Sequence, residues 1–371
     1  MGGYLSFAKN LLEAFGDDLA LVGTTTNMNE PVGKWFQKEI NGNKYDYFAI
    51  AHYNKSKTKN LIPDRLASYL FIKYYSDKIF KIGIKNIFIQ RQEVLLSISA
   101  PTNFNICYCF AGLENPLNIS KYPYAGFLKN SFEKLFFKKL KLVKTILASG
   151  DETAINEMVQ RSKGEISRSK VIKFPTRINT EIFKPIQNSE LRKQLNIDEH
   201  ATIVATTGRL TQLKGWKFMI DSFIQFEKKI PGSIFYLIGE GEDLKKINDY
   251  ISLNNLRTKV LLTGKKNAKE IALYLNASNL FIMGSYKEGW STSLSEAIAC
   301  GVPCCVTDFS SAKEIIYEEK NGYVIENHDN NAFVSKMIEA IKIPKPVFNE
   351  HVKEFASSKL KAQMLKNWKL I

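Results

Sequence analysis

The sequence of 371 residues contains few cysteines and no long apolar run. Its five cysteines are an odd number, with Cys107 and Cys109 at alternate positions and Cys304 beside Cys305. This spacing, with no histidine nearby, is not typical of a disulfide framework or a zinc site and predicts buried free thiols. No run reaches the about eighteen apolar residues that span a membrane. The start lacks a basic segment followed by an apolar stretch, so we expect a cytoplasmic protein without a secretory signal.

Proline and glycine are also sparse, with 11 and 21 residues, while 44% of the chain is hydrophobic and 24% charged. This composition excludes collagen, coiled coil and disorder as the main architecture. The length exceeds what one hydrophobic core usually supports, so we expect two domains. The net charge of +15 calls for an anionic partner, which could be nucleic acid, anionic lipid or a phosphorylated small molecule.

The second half of the chain alternates short β-branched runs with stretches of helical spacing, such as residues 216–226. The predicted strands are 202–207, 233–238, 259–263, 279–283, 302–307 and 322–325. Alternation of this kind predicts a parallel sheet covered by helices, which is a doubly wound, Rossmann-like α/β domain. Ligands of such domains bind at the carboxyl ends of the strands.

The first half predicts a second α/β domain. Its predicted strands are 19–23, 45–51, 86–90, 104–110, 144–148 and 170–174, and its predicted helices are 5–15, 64–76, 127–142 and 152–161. The glycine pair Gly2-Gly3 precedes the first helix, where such a domain normally has a strand first, so we expect a first strand that the numbered chain lacks. A proline-flanked turn at 175–185 predicts the domain boundary. We therefore expect domains at 1–185 and 186–345, with a last helical segment at 346–371.

Residues 208–215, which follow a predicted strand, place Arg209 and Lys214 between Gly208 and Gly215. Two cations five residues apart can fold back onto one anion, with arginine as a bidentate fork and lysine as a point charge. This pairing suits a diphosphate. The alternative is a solvated loop that caps the next helix.

Gly239 and Gly241 follow the next predicted strand. Because glycine has no side chain, its backbone can approach a ligand closely. The alternative is a plain turn between a strand and a helix.

The third loop carries two carboxylates, Glu288 and Glu296, on either side of a helix start at 291–293. The free N–H groups and the dipole of a helix start favour a phosphate there. The two carboxylates could accept hydrogen bonds from sugar hydroxyls on both sides of a diphosphate. In the alternative, Ser291 is only an N-cap and Glu296 a surface residue. The apolar run at 297–303 favours the functional interpretation, because a glutamate ahead of a packed segment needs a partner.

These motifs, in order and spacing across residues 201–341, are similar to the C-terminal half of retaining glycosyltransferases of the GT-B fold, most of all family four. The motifs that carry the resemblance are Gly208-Arg209-Leu210, Lys214-Gly215, Gly239-Glu240-Gly241, Glu288 with Glu296, and Gly301-Val302-Pro303. The resemblance implies two Rossmann-like doubly wound domains facing a central cleft. The N-terminal domain would bind the acceptor and the C-terminal domain the nucleotide sugar.

The resemblance also implies roles for individual residues. Glu296 would hold the donor ribose hydroxyls, and Glu288 would contact the transferred sugar near its 3- and 4-hydroxyls. Arg209 and Lys214 would neutralise the diphosphate and the charge that grows on it as it leaves. We therefore expect Arg209, Lys214 and Glu288 to be catalytic.

Other donor contacts are implied at the backbone of two loops. Ser291 and Thr292 would complete the phosphate seat, and Gly264 and Lys265 would hold the base. No Asp-x-Asp pair occurs in the sequence, which fits a metal-free site in which Arg and Lys replace a divalent ion. We expect no cofactor besides the nucleotide sugar, which is a substrate.

The acceptor side resembles the family less closely. Many members carry a histidine on an acceptor-domain loop, but no histidine occurs here between His52 and His200. The corresponding loop contains Glu114, which could contact an acceptor hydroxyl or be structural. His52 follows a predicted strand and could face the cleft or be structural. Gly2 and Gly3 complete the acceptor-side candidates.

Residues 121–147 hold seven lysines and one acid, Glu133, interleaved with phenylalanine and leucine. A basic amphipathic helix of this kind can lie on an anionic membrane surface. The alternative is a core helix with a solvated lysine face.

We therefore expect a retaining glycosyltransferase that moves a hexose-type sugar from a nucleotide diphosphate, UDP rather than GDP, to a glycan or lipid-linked glycan hydroxyl. Surface polysaccharide assembly on the inner face of the membrane is the expected setting, and nucleic acid is not an expected partner. Two alternatives remain: an inactive GT-B subunit that acts as a scaffold, and a basic nucleic-acid-binding protein, which would have no use for Glu288 and Glu296.

Overall fold

A computed structural model describes residues 3–40, 42–53, 62–80, 83–110, 112–119, 122, 125–187 and 190–370. The chain divides into two compact units. The N-terminal unit consists of residues 2–175 together with 360–371, and the C-terminal unit consists of residues 176–359. The division thus falls earlier than residue 185, and the final segment joins the N-terminal unit from residue 360 rather than 346.

The N-terminal unit contains seven strands in two separate sheets among the described residues. The strands are β1 (Ala20–Thr25), β2 (Trp35–Ile40), β3 (Asn43–His52), β4 (Asn86–Ile89), β5 (Asn105–Phe110), β6 (Thr145–Ala148) and β7 (Val171–Lys173). The first sheet has the order β1-β3-β2, with β1 parallel and β2 antiparallel to β3. The second has the order β4-β5-β6-β7 and is parallel throughout.

Helices pack against these sheets on two sides. They are α1 (Gly3–Phe15), α2 (Asp64–Tyr74), α3 (Ser76–Ile79), α4 (Gln92–Ser97), α5 (Ala125–Leu140) and α6 (Glu152–Arg161). Phe7 and Leu11 of α1 share a core with Cys107 and Cys109 of β5. Because every second residue of a strand faces the same side, the opposite face of β5 packs against α5 and α6.

Within the described residues, β1 bonds only to β3 and β4 only to β5, so each leaves one edge unpaired. The expectation of a further strand ahead of Gly2-Gly3 stays a prediction, and Gly2 lies outside the described residues. The sequence analysis also missed β2. Its central Gln37, Lys38 and Glu39 interrupt the apolar signal, and the strand forms through its antiparallel register with β3.

The C-terminal unit is built on one sheet of six parallel strands. They are β8 (Thr202–Thr207), β9 (Ser233–Ile238), β10 (Val260–Gly264), β11 (Leu280–Met283), β12 (Cys304–Thr307) and β13 (Gly322–Ile325). All six match predicted strands to within two residues at each end. Their order is β10-β9-β8-β11-β12-β13. From β8 the chain continues to β9 and β10 on one side of β8 and then returns to β11 on the other side of β8. The topological switch point therefore lies between β8 and β11.

Helices cover both faces of this sheet. They are α7 (Leu191–Gln194), α8 (Trp216–Lys229), α9 (Leu244–Leu253), α10 (Ala268–Ala277), α11 (Thr292–Ala299), α12 (Ala312–Ile315), α13 (Asn330–Ala340) and α14 (Glu350–Lys353), and the chain closes with α15 (Leu360–Trp368) in the N-terminal unit. One apolar core joins α8, α9 and α13 to one face, and another joins α10, α11 and α12 to the other. The doubly wound α/β prediction is confirmed.

All five cysteines are free and buried, which confirms the prediction of buried thiols. Burial raises the pKa of Cys300 to about 12 and holds those of Cys304 and Cys305 well above the ordinary range. These side chains therefore act as small apolar core residues. Among the helices formed by the described residues, none has both the length and the apolar content needed to span a bilayer.

Candidate donor site

The candidate site lies at the carboxyl ends of β8 and β11, where the strand order reverses. Open α/β sheets bind ligands in the crevice at such a switch point. The loop after β8 contains Arg209 and Lys214, and the loop after β11 contains Glu288 and leads into α11. The sheet topology thus brings the first and third predicted motifs to one place.

Two glycines hold these loops together. Gly215, the residue before α8, has a φ of +66°, and a Cβ atom there would lie 1.8 Å from the Gly284 carbonyl oxygen. No side chain fits at that distance, so only glycine permits the two loops to touch. The backbone N–H of Tyr286 also donates to the Leu213 carbonyl at 2.9 Å. The position of Lys214 is therefore fixed by backbone contacts on both sides.

Lys214 and Glu288 form an ion pair between Nζ and Oε1. The Ser285 hydroxyl donates to the same Oε1 at 2.7 Å. Ser285 is held in turn, since the Thr307 hydroxyl donates to its carbonyl at 2.9 Å. The Glu288 side chain is 10% exposed and that of Lys214 is 30% exposed. One oxygen of Glu288 is thereby engaged, while Oε2 has no hydrogen-bond partner within the described part of the chain.

Arg209 is exposed in the same loop. Among the described residues, its guanidinium has no ion pair or hydrogen bond. A cation without an internal partner next to the switch point is available to an anionic ligand. The structure therefore places both predicted cations in one loop, one paired with Glu288 and one facing solvent.

The start of α11 forms the floor of the site. The Ser291 hydroxyl accepts from the Leu294 N–H at 3.3 Å, and the Ser291 N–H donates to the Ser311 hydroxyl at 3.1 Å. Ser291 is buried and serves as the N-cap. The amides of Thr292 and Ser293 are among those that a helix start leaves without an intrahelical acceptor. Ser291 thus shapes the turn, and Thr292 supplies a backbone amide at the start of α11.

Gly208 lies beside this helix start. A Cβ atom built on Gly208 would be 3.8 Å from the Ser293 hydroxyl, so little more than a methyl group separates the two elements. The backbone at Gly208 and the amides at the start of α11 therefore line one small recess. Ser293 belongs to the helix start predicted at 291–293, whereas Ser285 was not found from the sequence, although it lies two residues after the predicted strand 279–283.

Glu296 lies one turn into α11 and is half-buried. Burial raises the pKa of its carboxyl to about 8. No side chain or backbone group in the described residues hydrogen-bonds to it. A desolvated carboxyl without a partner costs stability, which is typical of a group that acquires its partner from a ligand.

Gly239 and Gly241 lie against the backbone of the loop after β8 and do not face open space. A Cβ atom on Gly239 would lie 1.8 Å from the Gly208 carbonyl oxygen, and one on Gly241 would lie 2.0 Å from that of Leu210. The Gly208 N–H donates to Ile238 at 3.0 Å, which fixes the loop after β8 against β9. The two glycines thus position the loop that carries Arg209 and Lys214.

The remaining predicted residues belong to other strands, helices and loops. Gly264 ends β10 at the edge of the sheet, with a φ of +70°, and Lys265 follows it, exposed. Gly3 begins α1 in the N-terminal unit. His52 ends β3, with Nε2 at 3.0 Å from the Glu30 carbonyl oxygen. Glu114 is exposed before a short 3-10 helix at Pro116–Ile119. Their functional roles stay predictions.

No three His, Cys, Asp or Glu side chains in the described ranges come together as metal ligands would. The charged groups gathered at the recess are instead Arg209, Lys214 and Glu288.

Residues 187–359 match the family model described as glycosyl transferases group 1. The chain is 27% identical over 174 residues to the UDP-Gal:alpha-D-GlcNAc-diphosphoundecaprenol alpha-1,3-galactosyltransferase of Escherichia coli. That alignment covers 46% of this chain and 44% of the relative. The chain spans about half the length, or less, of the curated relatives it matches.

Solved structures resemble the whole chain. Sucrose-phosphate synthase from Thermosynechococcus elongatus has a TM-score of 0.74 at 17% identity, covering 99% of this chain and 92% of that one. Anabaena HepE in complex with UDP has a TM-score of 0.72 at 15% identity, covering 100% and 97%. At these identities the likeness shows the fold, which is GT-B. Residues 187–359 of this chain are thus similar to the glycosyl transferases group 1 family, and the chain has the GT-B fold.

Proposed function

We propose that the protein is a glycosyltransferase that moves a hexose-type sugar from a nucleotide diphosphate to a hydroxyl of a glycan or lipid-linked glycan. The observation that carries this proposal is the recess at the switch point between β8 and β11. There a lysine, a free arginine and the start of α11 converge with two carboxylates. Positive charge and helix amides suit a diphosphate, and the carboxylates suit sugar hydroxyls.

The diphosphate would lie on the Thr292 and Ser293 amides. Lys214 has three N–H donors, of which the Glu288 pair uses one, so the others can reach phosphate oxygens. Arg209 would approach from the solvent side as a bidentate donor. As the bond between the anomeric carbon and the phosphate oxygen breaks, negative charge grows on the diphosphate. Preorganised cations stabilise that charge without a metal ion.

Glu288 would bind the transferred sugar through Oε2, while Lys214 and Ser285 hold Oε1 in place. Glu296 would accept hydrogen bonds from the ribose hydroxyls, which provide the partner it lacks. We propose retention of configuration, with the acceptor hydroxyl attacking the oxocarbenium-like carbon on the face that the diphosphate leaves. The acceptor proton passes to the departing diphosphate.

UDP is the proposed nucleotide. The printed names support this choice, since the Escherichia coli relative is named for UDP-Gal and the Anabaena neighbour holds UDP. The same relative's name includes a diphosphoundecaprenol acceptor. We therefore propose a lipid-linked acceptor in surface polysaccharide assembly and a cytoplasmic, peripheral location on the inner membrane face.

A product assay tests the proposal. The purified protein is incubated with UDP-hexoses and a diphosphoundecaprenol-linked acceptor, and UDP release and the anomeric configuration of the product are measured. We expect acceptor-dependent UDP release and a product with the donor's configuration. UDP binding with no release for any donor would identify a scaffold subunit, and an inverted product would refute retention.

A further inference from the structure

The N-terminal unit exposes large apolar side chains on two helices, α2 and α5. On α5, Phe127 is 90% exposed and Leu135 is 60% exposed. The others are Leu128 on α5, Leu142 just after it, and Leu66, Leu70, Phe71 and Tyr74 on α2. Single exposed apolar residues are ordinary, whereas a group on adjacent elements marks an interaction surface.

The two helices flank α4, which contacts both. The Lys139 ammonium of α5 donates to the Leu96 carbonyl of α4 at 2.9 Å. Burial, and then the charge of Lys73 on α2, lower the pKa of Lys139, so α2 and α5 approach each other over α4. Leu135 lies one turn before Lys139 on α5 and therefore on the same side of that helix. We call this group of exposed side chains the α2–α5 surface.

Its charge is positive. Lys129, Lys134 and Lys138 are exposed on α5, and Lys73 is exposed on α2. Glu133, the one acid of α5, pairs with Arg161 at 3.0 Å and is directed toward α6. The acid of α4, Glu93, is buried and paired with Arg65 and Arg91. The lysine charges of α5 are therefore not offset by acids of α4 or α5.

We propose that the α2–α5 surface binds an anionic lipid bilayer. Phe127, Leu128 and Leu135 would enter the headgroup region, while Lys129, Lys134 and Lys138 would contact lipid phosphates. Apolar side chains combined with lysines favour this occupant over a nucleic acid, which offers no apolar layer. The 16 residues of α5 make a helix of about 24 Å, with its other face in the core, so it lies along the surface. Lys121, which belongs to the same basic stretch, lies outside the described residues.

The proposal deepens the proposed function, because it rests on a membrane-bound acceptor for its biological meaning. Lipid binding can be measured without donor or acceptor. Its failure and the failure of the transferase proposal are therefore distinguishable.

The test is co-sedimentation of the full chain with vesicles of phosphatidylcholine alone and with 30% phosphatidylglycerol, at physiological salt. We expect at least tenfold tighter binding to the anionic vesicles. Phe127→Ser with Leu135→Ser should weaken that binding about tenfold. Lys134→Glu with Lys138→Glu should weaken it by about 25-fold or more, at about fivefold for each lysine lost.

Matched variants lie on the C-terminal unit. Leu253→Ser removes a leucine that is 81% exposed, and Lys228→Glu with Lys245→Glu changes the net charge equally. Both should bind anionic vesicles like the unmodified protein. Equal binding to both vesicle types, binding to neither, or equal losses in the test and control variants would overturn the proposal.

Discussion

The two units of this protein use the same alternation of strands and helices but differ in whether their strands form one sheet or two. In the C-terminal unit, β8 is paired on both sides and the switch-point loops are clamped by backbone contacts. In the N-terminal unit, the described strands form two sheets, and β1 pairs on one side only among them. The undivided six-stranded sheet carries a preorganised recess of charged groups, whereas the unit with two sheets carries an exposed apolar and basic surface. Charge stabilisation requires rigidity, and contact with a bilayer does not.

The largest expected effect comes from a substitution that disrupts the contact between the loops after β8 and β11 in the C-terminal unit. Gly215→Ala adds a Cβ atom 1.8 Å from the Gly284 carbonyl oxygen at a residue with positive φ. We expect a loss of about 3 kcal/mol or more in the free energy of unfolding, measured by urea denaturation.

Gly232→Ala is the matched control. Gly232 also has a positive φ, +80°, but no atom of the described residues lies within 4 Å of its Cβ position. Only the backbone cost of about 1–2 kcal/mol should remain. Equal losses in the two variants would show that the contact with Gly284 does not matter.

The second prediction concerns the ion pair. Lys214→Ala should lower kcat by about 100-fold or more, because it removes a charge that stabilises the leaving diphosphate and leaves Glu288 without its cation. The measurement is UDP release at saturating donor. Lys245→Ala, an exposed lysine paired with Asp249, should leave kcat unchanged. Unchanged turnover in Lys214→Ala would contradict its catalytic role.

The third prediction concerns pH. The pKa of Glu296 is about 8 in the folded protein and about 4.3 when unfolded, so the folded state holds its proton more tightly. The stability from this group is full below pH about 4.3 and is lost as pH rises through 8. Glu296→Gln cannot titrate. Between pH 5 and pH 9, its free energy of unfolding should therefore rise by about 2 kcal/mol or more relative to that of the unmodified protein. Urea midpoints across that range give the measurement, and parallel curves for the two proteins would exclude the raised pKa.

The smallest effect compares the two sheets directly. Amides of β1 that point away from β3 have no strand partner in the described residues, whereas β8 lies between β9 and β11. Hydrogen exchange should therefore be at least about tenfold faster in β1 than in β8. Equal protection would show that the free edge of β1 is covered in solution.

The same contrast explains how far sequence reasoning reached. Every strand of the C-terminal sheet was predicted because buried parallel strands are short apolar runs. In the N-terminal unit, β2 was missed because its polar residues become a strand only by pairing with β3. Short α4 was missed as well, since six residues give too little periodicity.

Lys214 and Glu288 were predicted to belong to one site only through the family resemblance. The ion pair itself depends on a contact between residues 74 positions apart. The contact of Ser285 with Glu288 likewise depends on the conformation of the loop. Gly239 and Gly241 looked like ligand contacts in the sequence. In the structure they meet the carbonyls of Gly208 and Leu210, because sequence does not show which backbone a glycine faces.

The central claim is that the switch-point recess of the C-terminal unit binds a nucleoside diphosphate. Calorimetric titration with UDP, GDP, ADP and CMP at physiological salt tests it most directly, using the unmodified protein, Glu296→Ala and the control Glu339→Ala. We predict selective binding of UDP, weakened at least tenfold by Glu296→Ala and unchanged in the control. No binding of any nucleotide, or equal binding by all three proteins, would contradict the claim.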